Sequence, residues 1–160
     1  MSVQQPPFRS APGVSPARGD DGRERITSEL TRGVARLLTE MKYAPLTEFT
    51  LRSGRRVDLI GLGPKGEIIV VEIKSSLEDF RSDKKWQEYL DFCDLFYFAV
   101  PDFFPFEILP DDTGLMIADP FSAVIARDSS RLKLNASRRR SLHLNFARTA
   151  ARRLSGIIEA

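Results

Sequence analysis

The chain has 160 residues, a formal net charge of +2 and one cysteine, Cys93. This length fits one domain with its own core, and a single cysteine excludes an internal disulfide and favours a reducing compartment. No apolar stretch is long enough to span a bilayer, and the N-terminus lacks the apolar core of a signal peptide. We therefore expect a cytoplasmic protein with no membrane partner.

The basic residues are concentrated near the C-terminus. From position 131 onward the chain carries eight lysines and arginines but one acid, Glu159. This asymmetry favours a polyanionic partner more than the small net charge does.

The N-terminal segment differs in composition from the rest of the chain. In residues 1–22, prolines are interleaved with glycine, serine and glutamine, and this composition predicts a disordered tail. Residues 23–160 are expected to form a single domain. Its first element is a helix from about residue 23, because apolar side chains recur at three- and four-residue spacing, and Ala44-Pro45 ends this helix.

A sheet is predicted to follow the first helix. Three short strands at 47–51, 56–61 and 67–74 are spaced for an antiparallel meander. A helix over 77–91 then precedes a wholly apolar strand at 95–100, and because a crossover helix normally leaves its two strands parallel, the sheet is expected to be mixed. Two further strands and a final helix complete the α/β prediction, at 114–118, 123–127 and 137–158.

The final helix is predicted to be amphipathic. Its Arg148 and Arg152 fall on the side opposite an apolar stripe. The stripe comprises Leu142, Phe146, Ala150, Leu154 and Ile157.

Charged residues lie in two of the apolar strands. Glu72 and Lys74 project from the same face of the third strand, because side chains alternate along a strand. A hairpin through residues 63–66 brings Asp58 of the second strand close to both. Charged groups are costly to bury unless they are paired or bind an ion, so two acids and one lysine predict a site for a hard divalent cation. A salt-bridged cluster without catalytic function is the alternative.

The order of elements and the motif together resemble a known superfamily. Asp58, thirteen intervening residues and then Glu72-Ile73-Lys74 are similar to the motif of the PD-(D/E)-x-K nucleases, which have the restriction-endonuclease-like fold. Val57 stands where the superfamily name has proline. Segments 47–59 and 66–101 more specifically resemble the MmcB-type DNA-repair proteins, and that resemblance extends from Glu24 to the final helix.

The resemblance implies an αβββαβ core with a mixed central sheet flanked by helices, and a role for each motif residue. Asp58 and Glu72 would bind Mg²⁺ or Mn²⁺, and the carbonyl of Ile73 could supply a further oxygen. Lys74 would orient or deprotonate the attacking water, or offset charge on the scissile phosphate.

Several other residues are candidates for accessory roles. Glu48 on the first strand is a possible further ligand, and Glu29 or Glu40 could be the glutamate that many relatives carry on the first helix. Lys85 or Gln87 of the second helix could approach the scissile phosphate. Candidate contacts to a phosphate backbone are Arg138, Arg139, Arg140, Arg148 and Arg152.

Two classes of function fit these residues. The first is a metal-dependent nuclease acting on DNA in repair, which the complete Asp-Glu-Lys set favours. The second is a catalytically inactive DNA-binding or scaffold protein with the same fold. RNA stays open as a substrate because its phosphodiester chemistry is the same.

Overall fold

A computed structural model describes residues 20–159, and the side chains of 21–158. The predicted tail therefore lies outside the described residues, except that positions 20–22 already belong to the first helix. The helices and strands are α1 (Asp20–Glu40), β1 (Ala44–Thr50), β2 (Arg56–Leu62), β3 (Ile68–Ile73), α2 (Leu77–Ser82), β4 (Leu95–Val100), β5 (Gly114–Ala118), β6 (Ala123–Arg127) and α3 (Ala136–Glu159), with 3₁₀ helices at Trp86–Phe92 and Phe106–Ile108.

The six strands form one mixed sheet in the order β1-β2-β3-β4-β5-β6. β1, β2 and β3 are antiparallel neighbours, β3, β4 and β5 run parallel, and β6 is antiparallel to β5. The predicted mixed α/β sheet is therefore confirmed. β1 begins three residues before the predicted start, at Ala44, because β1 lies at the sheet edge, where Pro45 is tolerated.

Each face of the sheet is covered by its own apolar core. On one face α1 contributes Leu30, Val34 and Leu38. On the other face α3 contributes Leu142 and Phe146, beside the 3₁₀ helix Trp86–Phe92. No helix within residues 20–159 is long and apolar enough to cross a membrane.

Two predictions about helices are wrong. The helix expected over 77–91 breaks after Ser82, because Asp83 adopts an extended conformation and the chain resumes as a 3₁₀ helix at Trp86. The apolar stripe of α3 is buried only in its first half. Leu154 and Ile157 are 60% and 74% exposed, since the helix extends past the edge of the core.

The start of α3 is fixed to the sheet by a buried ion pair. The carboxylate of Asp94, 4% exposed, accepts two hydrogen bonds from the Arg139 guanidinium at 2.6 and 2.7 Å. It also accepts the Ile68 backbone N–H at 2.7 Å. Burial raises the pKa of Asp94, but Arg139 and the hydrogen bond from Ile68 outweigh it and hold that pKa below its usual value. This pair therefore joins α3 to β3 and β4.

We expect Asp94→Ala to lower the free energy of unfolding by about 3 kcal/mol, because it leaves an arginine and a buried N–H without their acceptor. Urea denaturation measures this loss. Asp91→Ala, at an exposed position of the neighbouring 3₁₀ helix, is the control and should change stability little. A loss at Asp94 no larger than at Asp91 would contradict the assigned role.

Candidate active site

The site is built where the β2–β3 ladder ends. Leu59 pairs with Val71, so the next position places Asp58 opposite Glu72. Asp58 Oδ2 accepts the backbone N–H of Ile73 at 2.8 Å, and Glu72 Oε1 accepts the backbone N–H of Asp58 at 3.0 Å. Each carboxylate is therefore held by the opposite strand. The second oxygen of each makes no hydrogen bond within the described part of the chain.

Lys74 follows β3 and is 5% exposed. Its Nζ donates to Asp83 Oδ2 at 2.7 Å, and Asp83 Oδ1 accepts the backbone N–H of Lys85. The break after α2 thus supplies the acid that neutralises a buried ammonium. A lysine at this depth needs such a partner.

These side chains line one cleft of about 710 Å³ between the strand ends and the first half of α1. The structure therefore brings together Asp58, Glu72 and Lys74, as expected from strand alternation. The other lining residues are Arg23, Glu24, Thr27, Ser28, Thr31, Arg32, Thr47, Glu48, Arg56, Ile73 and Asp79.

The two carboxylates are energetically costly in the absence of a cation. Burial raises the pKa of Glu72 well above its usual value, and the neighbouring charge of Asp58 raises it further. Burial also raises the pKa of Asp58, and the hydrogen bond from Ile73 only partly offsets this. A pair of close acids with raised pKa values is typical of sites that bind a metal or move a proton.

The lysine is held in its charged form. Burial alone would lower the pKa of Lys74, but the hydrogen bond and charge of Asp83 outweigh it, so the pKa is raised. The same contact lowers the pKa of Asp83, although burial raises it. Lys74 therefore carries its proton at neutral pH.

The oxygen donors in the cleft fit a small divalent cation. Two carboxylate oxygens are left without a hydrogen bond within residues 20–159, and Ile73 also lines the cleft. Mg²⁺ binds proteins through one or two carboxylates and keeps several waters, which this set allows. Within residues 20–159 no three His, Cys, Asp or Glu side chains are grouped to hold a metal, so the site provides two carboxylates.

The accessory candidates are distributed differently. Glu48 lies at the cleft mouth, where its carboxylate is 3.9 Å from the Arg56 guanidinium. Glu29 instead pairs with Arg25 on α1 at 3.0 Å. The remaining candidates, Glu40, Lys85 and Gln87, are exposed and do not line the cleft.

Three acids at the site were missed by sequence reasoning: Glu24, Asp79 and Asp83. Glu24 occupies the first turns of α1 and lines the cleft, which only the packing of α1 against the sheet reveals. Asp79 and Asp83 follow the motif closely in sequence. Because a buried lysine needs an acidic partner, a nearby acid could have been predicted as the partner of Lys74.

The five candidate arginines are not equivalent. Arg139 is bound by Asp94, and Arg138 lies 4.7 Å over the ring of Phe92 while donating to the Asp91 carbonyl. Arg140 is exposed. Arg148 and Arg152 line a second groove, of about 520 Å³, between α3 and the end of β1. Its other lining residues are Glu48, Thr50, Leu51, Arg52, Ser141, Leu144, Asn145, Thr149 and Arg153.

The αβββαβ core and the acid–acid–lysine set at the strand ends define a protein of the restriction-endonuclease-like fold. The chain belongs to the MmcB-like family of DNA repair proteins, whose model matches residues 15–160. Both the fold and the family predicted from the sequence are thereby confirmed.

Solved structures extend this comparison. A protein of unknown function from Silicibacter pomeroyi shares 50% sequence identity, with a TM-score of 0.76 over 80% of this chain and 88% of that chain. A repair endonuclease from Pyrococcus abyssi shares 23% identity, with a TM-score of 0.31 over 43% of this chain and 36% of that chain, too low a similarity to support an inference. No curated protein matches this chain.

In metal-free protein, Glu72→Gln is expected to raise the melting temperature at pH 8. The raised pKa means that the folded state binds the Glu72 proton more tightly than the unfolded state does. The free energy of unfolding therefore falls as pH rises above the usual carboxyl range, and the glutamine removes that part of the fall. Each kcal/mol of relief raises the melting temperature by roughly 2–4 °C.

Thermal denaturation in EDTA from pH 4 to pH 8 measures this effect. Glu107→Gln, at an exposed position, is the matched control and should follow the wild-type pH dependence. If Glu72→Gln also follows the wild-type pH dependence, burial of the charged Glu72 carboxylate does not destabilise the protein.

Proposed function

We propose that this DNA repair protein is a divalent-metal-dependent nuclease that hydrolyses phosphodiester bonds of DNA. The observation that carries the proposal is the convergence of Asp58, Glu72 and Lys74 in one cleft. Two acids and one lysine leave a carboxylate unneutralised, and the lysine is already paired with Asp83. A divalent cation resolves that excess negative charge.

Each residue then has a defined role. Asp58 and Glu72 would hold Mg²⁺ or Mn²⁺ through their remaining oxygens, assisted by the carbonyl of Ile73. The bound ion would supply Lewis-acid stabilisation of the phosphoryl oxygen and activate a water. Lys74 would offset charge on the scissile phosphate or orient the attacking water, and its raised pKa favours these roles of a charged ammonium.

A second candidate is a DNA-binding or scaffold protein that retains the fold without cleavage. The short contact between Lys74 and Asp83 favours it, since this contact neutralises part of the charge offered to a phosphate. The two candidates differ in one property, which is metal-dependent strand cleavage.

Asp58→Asn is expected to lower cleavage by roughly 10³-fold or more, because a catalytic metal contributes several kcal/mol and each 1.4 kcal/mol is about tenfold in rate. Cleavage of duplex, single-stranded, flap and four-way DNA, and of RNA, with Mg²⁺ or Mn²⁺ against EDTA measures this. Cleavage that persists in the variant at the wild-type rate would exclude Asp58 as a ligand. No cleavage by the wild type on any substrate would leave the binding candidate.

Lys74→Met is expected to lower kcat while leaving affinity for Mn²⁺ nearly unchanged. The substitution keeps the buried stem and removes the charge that faces the phosphate. Lys84→Met is the control, since Lys84 is exposed on the segment that follows Asp83. Titration of Mn²⁺ by calorimetry separates the two effects. Loss of Mn²⁺ binding in Lys74→Met would indicate that the lysine supports the metal site instead.

DNA is the proposed partner, and the groove beside α3 supplies the phosphate contacts. Arg148 and Arg152 are exposed there together with Arg52. Neutralising phosphates with arginines releases counterions, so affinity falls with salt in proportion to the number of contacts.

The double variant Arg148→Gln, Arg152→Gln is expected to reduce the slope of log affinity against log salt by about 1–2, since each phosphate contact contributes roughly 0.7 on a single strand and roughly 0.9 on a duplex. It should weaken all sequences alike, because phosphate contacts carry no base information. Arg140→Gln removes one charge from the same helix outside the groove, and we expect it to leave the slope unchanged. Equal slopes in the wild type, the double variant and Arg140→Gln would indicate that the DNA surface lies elsewhere.

A further inference from the structure

The cleft and the groove meet at a single point of the sheet edge. Glu48 of the edge strand β1 lines both, with Thr47 on the cleft side and Thr50 on the groove side. The cleft is bordered by α1, which packs on one face of the sheet, and the groove by α3, which packs on the other. A chain that occupies both must therefore turn around β1.

The backbone at this crossing is unusual. Glu48 has φ of +48°, a left-handed conformation that a side chain rarely adopts inside a strand and that costs about 1–3 kcal/mol. The pairs on either side, Thr47 with Leu59 and Phe49 with Val57, are kept. The side chain of Glu48 is 70% exposed, so packing of that side chain does not account for the strain.

Arg153 of α3 explains what the conformation achieves. Its guanidinium donates to the carbonyl of Thr47 at 2.6 Å and to the carbonyl of Glu48 at 3.0 Å. Consecutive carbonyls of a regular strand point to opposite sides, so one arginine cannot ordinarily bind both. The left-handed Glu48 turns both oxygens towards the same cation. The edge at the crossing thus presents a guanidinium bound to the carbonyls of Thr47 and Glu48.

Cations continue the surface on both sides of this crossing. Arg52, Arg148 and Arg152 line the groove, where Glu48 is the one acid among the described lining residues. Arg23, Arg32 and Arg56 line the cleft, together with Lys74 and the acids Glu24, Glu48, Asp58, Glu72 and Asp79. The charge of Glu48, the acid common to both, is offset by Arg56 at 3.9 Å. The groove is therefore complementary to a polyanionic chain, and the arginines of the cleft extend this surface once the proposed divalent cation offsets Asp58 and Glu72.

We propose that one strand of the DNA runs from the cleft around β1 into the groove, and that this strand is unpaired between the two. The inference rests on the proposed function, since the cleft holds the scissile phosphate. Bending a duplex by 40–90° over 20–30 base pairs costs about 1–6 kcal/mol, whereas the turn here spans only a few residues of β1. A single strand makes that turn through free backbone torsions. The substrate class is therefore duplex DNA with a single-stranded extension.

The experiment measures binding of Asp58→Asn in EDTA to a blunt duplex and to matched duplexes with single-stranded extensions of increasing length and either polarity. Affinity is expected to rise roughly 10–100-fold as an extension of one polarity fills the groove, since two or three single-strand phosphate contacts at low salt contribute that much. Adding Arg148→Gln and Arg152→Gln should abolish this gain and affect the blunt duplex less. Adding Arg140→Gln, outside the groove, should preserve the gain.

Two results would overturn the inference. One is equal affinity for blunt and extended duplexes. The other is a gain from the extension that survives loss of both groove arginines. The proposed hydrolysis is judged separately, from wild-type cleavage in Mg²⁺ or Mn²⁺. Extension-dependent binding without any cleavage would refute the nuclease and retain the surface, whereas cleavage without extension-dependent binding would refute the surface alone.

Discussion

The reciprocal hydrogen bonds between β2 and β3 are the constraint on which the site depends. Asp58 accepts a backbone N–H from β3 and Glu72 accepts one from β2. Each side chain substitutes for a backbone acceptor at the point where the strands begin to separate. The two carboxylates are consequently held close together in a buried position. Burial raises the pKa of both, and the charge of Asp58 raises the pKa of Glu72 further. Burying two like charges reduces the stability of the metal-free protein, and a bound cation would restore that stability.

The remainder of the site follows from the need to neutralise Lys74. Its ammonium is buried, which lowers its pKa, and the surrounding acids, Asp83 first, raise that pKa above its usual value. Asp83 can serve because α2 ends at Ser82 and the chain extends before it coils again. A continuous helix over 77–91, as predicted from the sequence, would place Asp83 inside a helical turn. The backbone N–H groups that follow it would then donate within the helix and not to the Asp83 carboxylate. The helix break and the lysine partner are thus one feature of the structure.

The parts of the fold that depend on local pattern could be predicted. Apolar runs such as 95–100 and 114–118 match β4 and β5 to the residue, and the crossover between β3 and β4 required their parallel pairing. The convergence of Asp58, Glu72 and Lys74 followed from alternation along β3 and from the register of the β2–β3 hairpin, which sets Asp58 opposite Glu72. In contrast, Glu24 reaches the cleft through the packing of a long helix across a sheet, for which no local pattern exists.

The arginines show the same limit. Composition identified a basic C-terminal segment, but composition cannot separate Arg139, which ties α3 to Asp94, from Arg148, which lines an open groove. A count of charged residues indicates a binding surface only when residues held in structural ion pairs are left out of the count. Arg153 was outside the candidate set, although its two backbone contacts place it at the junction of the two surfaces.

Strict alternation fails at the point where function is proposed. Leu46 and Phe49 of β1 pack in the same core, and so do Val57 and Ile60 of β2, although residues three apart in a regular strand face opposite sides. Both strands change face at Glu48 and Asp58, which lie opposite each other, and the register of the neighbouring pairs is unaffected. The pattern of apolar residues does not reveal this change of face. β1 and β2 change face together, and each strand alternates regularly before and after the change. The left-handed Glu48 is the conformational cost of that change, and it is located where the cleft meets the groove.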